Sequence, residues 1–148
     1  MTPTPTLDHL VLRSPDALVA AVPYLLGFHP RESVVAVWLQ GRRIVLTQRL
    51  DLPPSPTDHA AWLAAMWHHP MSGTADELVL AIVSQHPADG DLVSLVIDRA
   101  EAAGIEMRDV LRIHDGRWWS LLCTDDQCCP PDGREVDADT AGAVAAEF

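Results

Sequence analysis

Apolar residues along this chain fall into short segments whose spacing switches between helical and alternating. Ser14 and Pro15 set a capping hydroxyl and an N1 proline ahead of Leu18, Val22 and Leu25 or Leu26, one face of a helix. Pro23 interrupts that stripe. It lacks the N–H that would bond the Val19 carbonyl, so a break or kink is expected there, and Gly27 supplies a stop. Residues 34–39 are an unbroken apolar run, residues 44–50 alternate with period two, and Gly41 lies between them. That arrangement predicts a hairpin.

The proline-rich stretch 52–56 reads as a connector. Ser55 and Asp58 resemble a capping box with Asp in place of Glu, opening a helix that runs to about His69 and ends at Pro70. Residues 78–83 are apolar between polar flanks, the pattern of a central strand buried on both faces. The strongest helical segment is 89–103, with Leu92, Leu95, Val96, Arg99 and Ala103 along one side and Gly104 as the C-cap. A strand from Ile105 then completes a βαβ unit with a right-handed crossover.

Asp115-Gly116 is the strongest hairpin signal in the chain. A two-residue turn there sets His114 against Arg117, Arg112 opposite Trp119 and Val110 facing Leu121. Arg112 then covers the Trp119 ring, while Ile113 and Trp118 share the other face. Continued further, the same register puts Arg108 opposite Cys123. The expected fold is α/β: a single domain over residues 1–148, with a mixed sheet of about five strands, covering helices, one βαβ unit and two hairpins.

Composition narrows the function classes. Hydrophobic residues make up 48% and charged residues 21%, ordinary for a globular protein. No apolar run is long enough for a spanning helix, and the opening MTPTPTLDH lacks the basic and apolar regions of a secretory signal. A cytoplasmic protein with reduced thiols is the expectation, with no membrane association. Ten basic residues face 21 acidic ones, for a net charge of −11. All the basic residues are arginine, which excludes a Schiff-base lysine and the lysine of a phosphate-binding loop. Such a charge repels nucleic acid, so that class of partner is disfavoured.

Candidate chemistry concentrates in residues 116–133, GRWWSLLCTDDQCCPPDG. Cys123, Cys128 and Cys129 could ligate zinc with His114 as a fourth ligand, although C-x4-C-C is not the usual C-x2-C knuckle. Cys123 could instead form a redox pair with Cys128 or Cys129, without the C-x-x-C motif. Unreactive thiols are the plainest reading. Asp125, Asp126 and Asp132 fit an acidic turn.

Side chains must alternate across a strand, so one of Trp118 and Trp119 faces away from the other and offers a binding surface with Arg112 and Arg117. Trp38 and Trp62 fit core positions, and Trp62 and Trp67, five apart, cannot both face the core squarely. His68 and His69 fit the negative end of a helix dipole, and no H-E-x-x-H motif occurs. His29, in a loop with Phe28 and Pro30, is a packed residue, a ligand or a base. No G-x-S-x-G, glycine-rich phosphate loop or G-x-G-x-x-G is present, so no catalytic residue is singled out.

The opening LRSPDALVAAVPYLLGFHPRESVVAVWL, then RIVLTQRLDLP, and the late GRWWSLLCTDDQCCPPDG resemble the actinobacterial domain of unknown function 4192 family. The likeness runs from Leu12 to Gly133 and agrees with the high-GC genome that the missing lysine and abundant Ala, Pro and Asp imply. The resemblance implies no activity, substrate or ligand. Relatives often run longer, and the Ala-rich stretch from Asp139 reads as an unfinished helix, as in a chain trimmed of a C-terminal extension or a naturally short one. The expected role is binding of a partner or small molecule around the Trp-Cys hairpin and the 27–30 loop. The alternatives are a metal- or thiol-dependent enzyme at the three cysteines and a structural homodimer joined at an edge strand.

Overall fold

The computed structural model describes residues 14–122 and 130–147. Its elements in chain order are α1 (Pro15–Leu26), β1 (Ser33–Gln40), β2 (Arg43–Asp51), α2 (His59–Trp67), β3 (Glu77–Val83), α3 (Gly90–Ala102), β4 (Glu106–His114), β5 (Arg117–Ser120), β6 (Arg134–Glu135) and α4 (Ala138–Ala145). Among the described residues they form one six-stranded sheet in the order β2-β1-β3-β4-β5-β6. The β3–β4 pair is parallel, joined through α3, and the other pairs are antiparallel. The fold is therefore α/β with a mixed sheet, a βαβ unit and hairpins at β1–β2 and β4–β5. The strand beyond the expected five is β6, two charged residues with no apolar period to announce it.

Successive side chains of β1 enter opposite cores, which is why its sequence is apolar without alternation. Val35, Val37 and Leu39 join Val79, Ala81, Leu111 and Trp118 beneath Leu18, Ala21 and Val22 of α1 and Val144 of α4. Val34, Ala36 and Trp38 join Leu78, Leu80, Ile82 and Val110 beneath Trp62 and Met66 of α2 and Leu92, Val96 and Ala100 of α3.

Local rules and tertiary packing compete in the helices. Ser14 caps α1 by accepting from the Ala17 N–H at 3.2 Å. Pro23 does not break this helix, which continues to Leu26 before Gly27 turns left-handed at φ +83°. Leu25 and Leu26 pack against the first core, so their burial holds the turn beyond the missing hydrogen bond. Ser55 caps a short 3-10 turn, Pro56–Asp58, through the Thr57 N–H, and Asp58 makes no side-chain capping bond to α2. That helix stops at Trp67, two residues short of the expected end. His69 acts as an acceptor, its Nδ1 taking the Met71 N–H at 3.1 Å to start the next 3-10 turn, Pro70–Thr74. The buried line of α3 is Leu92, Val96 and Ala100, whereas Leu95 is 38% exposed and Arg99 spans the Trp67 ring at 5.0 Å. A single row of contacts with the sheet leaves the rest of the expected stripe to solvent. Both Trp62 and Trp67 reach the second core, Trp67 at its margin.

The β4–β5 hairpin has the register that a two-residue turn dictates. His114 pairs with Arg117, Arg112 with Trp119 and Ile113 with Trp118, and the Leu121 N–H reaches the Val110 carbonyl at 2.8 Å. Asp115 and Gly116 both have positive φ, +51° and +73°, as a type I′ turn requires. Trp118 enters the first core with Ile113, and Trp119 lies on the other face under Arg112. Burial raises the Asp109 carboxyl above its ordinary range, although the Ser120 hydroxyl and the Val110 N–H both donate to it.

Candidate functional site

The parallel pair β3–β4 ends at Val83 and Ile113-His114, beside the start of β1 at Ser33. The C-terminal turn of α1, the 27–32 loop and the tip of the β4–β5 hairpin border an open cleft of about 1290 Å³ at this edge. Its apolar wall includes Val19, Val22, Tyr24, Phe28, Val83 and Ile113, and its polar lining includes His29, Arg31, Glu32, Ser84, Gln85, His114 and Asp115. Space outside the carboxyl ends of parallel strands is a recurrent binding location, because helices and loops diverge there and leave a crevice.

Glu32 is an exposed member of this lining. Its φ is +44°, a left-handed backbone unusual for a residue other than glycine. The surrounding bonds secure that conformation: the Ser33 hydroxyl donates to the Arg31 carbonyl at 2.7 Å, and the Leu52 N–H to the Glu32 carbonyl at 3.2 Å. The carboxylate then receives the Gln85 N–H at 3.1 Å on Oε1 and the Ser84 hydroxyl at 2.8 Å on Oε2. The Gln85 N–H and then the Ser84 hydroxyl hold this carboxyl below the usual glutamate range, with smaller help from His86 and His114.

A depressed folded-state pKa stabilises the fold above the unfolded-state pKa, and that contribution disappears as pH falls through the folded value. Glu32→Gln should therefore lower stability at neutral pH by less than about 1 kcal/mol, since the group is exposed. It should also flatten the loss of stability on the acid side of the glutamate range. Urea unfolding at neutral and acidic pH checks this, and parallel curves for wild type and variant would refute it.

The segment carrying Ser84 and Gln85 is also gripped from the other face of the sheet. Arg112 donates through Nε to the Ser84 carbonyl at 3.3 Å and through Nη2 to the Gln85 carbonyl at 3.0 Å. Its guanidinium lies 4.4 Å from the centroid of Trp119, whose indole N–H bonds the Pro131 carbonyl at 2.9 Å. Arg112 and Trp119 also border a smaller depression of about 510 Å³ with Pro87, Val93, Ile97, Leu121 and Leu122.

The residues expected from the sequence thus divide by place. Phe28, His29 and His114 line the cleft. Arg112 and Trp119 brace it from behind. Trp118 is buried, with its indole N–H on Asp16 Oδ1 at 2.6 Å, and Arg117 pairs with Glu135 at 2.9 Å, so both anchor the hairpin. Cys123, Cys128 and Cys129 lie outside the described residues, as do Asp125, Asp126 and the pairing of Arg108 with Cys123. Arg108 itself meets Glu77 at 3.0 Å. Among the described residues no cluster of His, Cys, Asp and Glu has the arrangement of a metal site, and no helix is long and apolar enough to cross a membrane.

Glu32, Ser84 and Gln85 carry no sequence signal of their own. Ser84 stands 52 positions from Glu32, and only the adjacency of β1 and β3 brings them together.

The chain belongs to the family described as domain of unknown function (DUF4192), which matches residues 15–148 and so includes every element from α1 to α4. No curated protein matches it.

Proposed function

We propose that this member of the family is a binding domain for a small organic molecule, held in the cleft at the carboxyl ends of β3 and β4. The observation that carries the reading is the Glu32 carboxylate, held by two donors in the lining of a roughly 1290 Å³ cleft with apolar walls. Ligand sites are commonly concave, largely apolar and furnished with a few oriented polar groups. Phe28 and His29 would contact the ligand, and His114 and Asp115 would form the facing rim. Arg112, Trp119, Trp118 and Arg117 would hold the hairpin and the 84–85 segment in place. The net charge of −11 supports a small molecule over nucleic acid, whose phosphates it repels.

A thermal-shift screen of a diverse small-molecule library, followed by amide NMR mapping of the hits, tests this directly. Stabilising compounds should perturb the amides of Gly27, Ser84, Gln85 and Gly116. Phe28→Ala should weaken them with little effect on the apo protein, because that ring is 49% exposed. Hits confined to the depression beside Trp119, or no hits, would overturn the assignment.

A further inference from the structure

We infer that the cleft takes an organic cation: an amine- or guanidinium-bearing molecule with an apolar body. The inference rests on the cleft reading above and specifies the chemistry of its occupant. Four features of the lining point the same way.

The first is the Glu32 carboxylate. Its two protein donors occupy one position on each oxygen, and a carboxylate offers about four lone-pair sites, so each oxygen keeps acceptor capacity. Those donors also favour the charged form, so the group presents a full negative charge without needing the ligand to ionise it. Second, α1 ends at the cleft, with Tyr24 and Gly27 in its lining and no basic residue in its last turn. The carbonyl end of a twelve-residue helix carries partial negative charge, which favours a cation within about one turn. Third, the aromatic side chains of Phe28 and Tyr24, 49% and 46% exposed, are both part of the lining, and an aromatic ring can receive a cation as well as an apolar group. Fourth, Asp115 stands on the opposite rim at the tip of the hairpin.

Arg31 also lines the cleft, with His29 and His114. The fixed charge there is nonetheless two carboxylates and a helix C-terminus against one guanidinium. The field of the whole chain, at −11, adds to the same side by concentrating cations near the mouth. The apolar wall of Val19, Val22, Val83 and Ile113 selects against small hydrated ions, which would gain nothing from it.

The test uses the full chain and three probes sharing one hydrocarbon body: 2-phenylethylamine, 2-phenylethanol and 3-phenylpropionate. Calorimetric titration should rank the amine first by about tenfold over the alcohol, as a charge-assisted hydrogen bond would give, with the carboxylate weakest. Added salt should weaken the amine alone. Glu32→Gln should remove most of the amine's advantage while leaving the alcohol unchanged, and Phe28→Ala should weaken amine and alcohol together. Because Phe28 is exposed, the second variant stays informative should the first disturb folding. Equal or tighter binding of the alcohol or the propionate at the mapped amides would overturn the cation inference and leave the cleft reading standing. Failure of all three probes would also overturn it, and the library screen then judges the cleft independently.

Discussion

Trp38→Ala is expected to lower the unfolding free energy by about 3–5 kcal/mol, as truncation of a buried tryptophan typically does. The side chain is fully buried on β1. Its indole N–H donates to Gln48 Oε1 at 2.7 Å, Gln48 donates through Nε2 to the Met66 carbonyl at 3.1 Å, and the ring meets Trp67 edge-on at 5.0 Å. One side chain thus ties β1, β2 and α2 together, and Arg99 over Trp67 extends the contact to α3. A domain of this size is stable by only about 5–15 kcal/mol, so the loss is a large share of the whole.

The polar part of the effect can be separated from the apolar part. Trp38→Phe keeps much of the ring but leaves Gln48 Oε1 without its donor, at a cost of about 1–3 kcal/mol. Adding Gln48→Leu removes the stranded acceptor and should recover part of that loss. Urea unfolding of the four proteins gives the comparison. A Trp38→Ala protein within about 1 kcal/mol of wild type would show that the indole does not hold these elements together.

How far this architecture can be read from sequence depends on the range of the interaction that decides each element. The Ser14 cap and the Asp115-Gly116 turn are settled within a few residues, so both are legible, and the turn fixes every pair along the hairpin. The contact between Arg112 and Trp119 follows from that register alone. Pro23 and Leu95 are different. The proline penalises a helix locally, but Leu25 and Leu26 reward its continuation by packing on a sheet that no local window contains. Leu95 has the spacing of a core residue, yet the residues of this helix that are buried are Leu92, Val96 and Ala100.

The candidate site is legible in the same uneven way. Phe28 and His29 stand out because an apolar-flanked histidine loop follows a glycine stop, and His114 because it precedes the turn. Glu32 does not, since an acidic residue before a strand looks like ordinary solvated surface. Its significance comes from a positive φ and two donors placed just beyond β3, 52 and 53 positions away in sequence, neither of which spacing or composition encodes.

Gly133→Ala is expected to cost about 2–4 kcal/mol, more than its left-handed backbone alone explains. At φ +77° any Cβ brings strain, and here it would also lie 2.7 Å from Cε2 and 2.8 Å from Cζ2 of Trp119. The ring cannot simply recoil. Its N–H is bonded to Pro131, and Arg112, stacked at 4.4 Å, is itself held by the Ser84 and Gln85 carbonyls. Gly116→Ala supplies the control, because φ there is nearly the same at +73° and nothing lies within 4 Å of the added carbon. It should cost about 1–2 kcal/mol of left-handed strain. Removing the ring should erase the difference, so Gly133→Ala made on a Trp119→Ala background ought to cost no more than Gly116→Ala. Displacement of Trp119 also pulls on Arg112, and through it on the segment that holds Glu32. The Gly133→Ala protein should therefore show shifted Ser84 and Gln85 amide resonances, which Gly116→Ala should not produce through that route. Equal costs for the two glycine variants would mean that the indole yields freely, and the brace between hairpin and cleft would then be too soft to position the carboxylate.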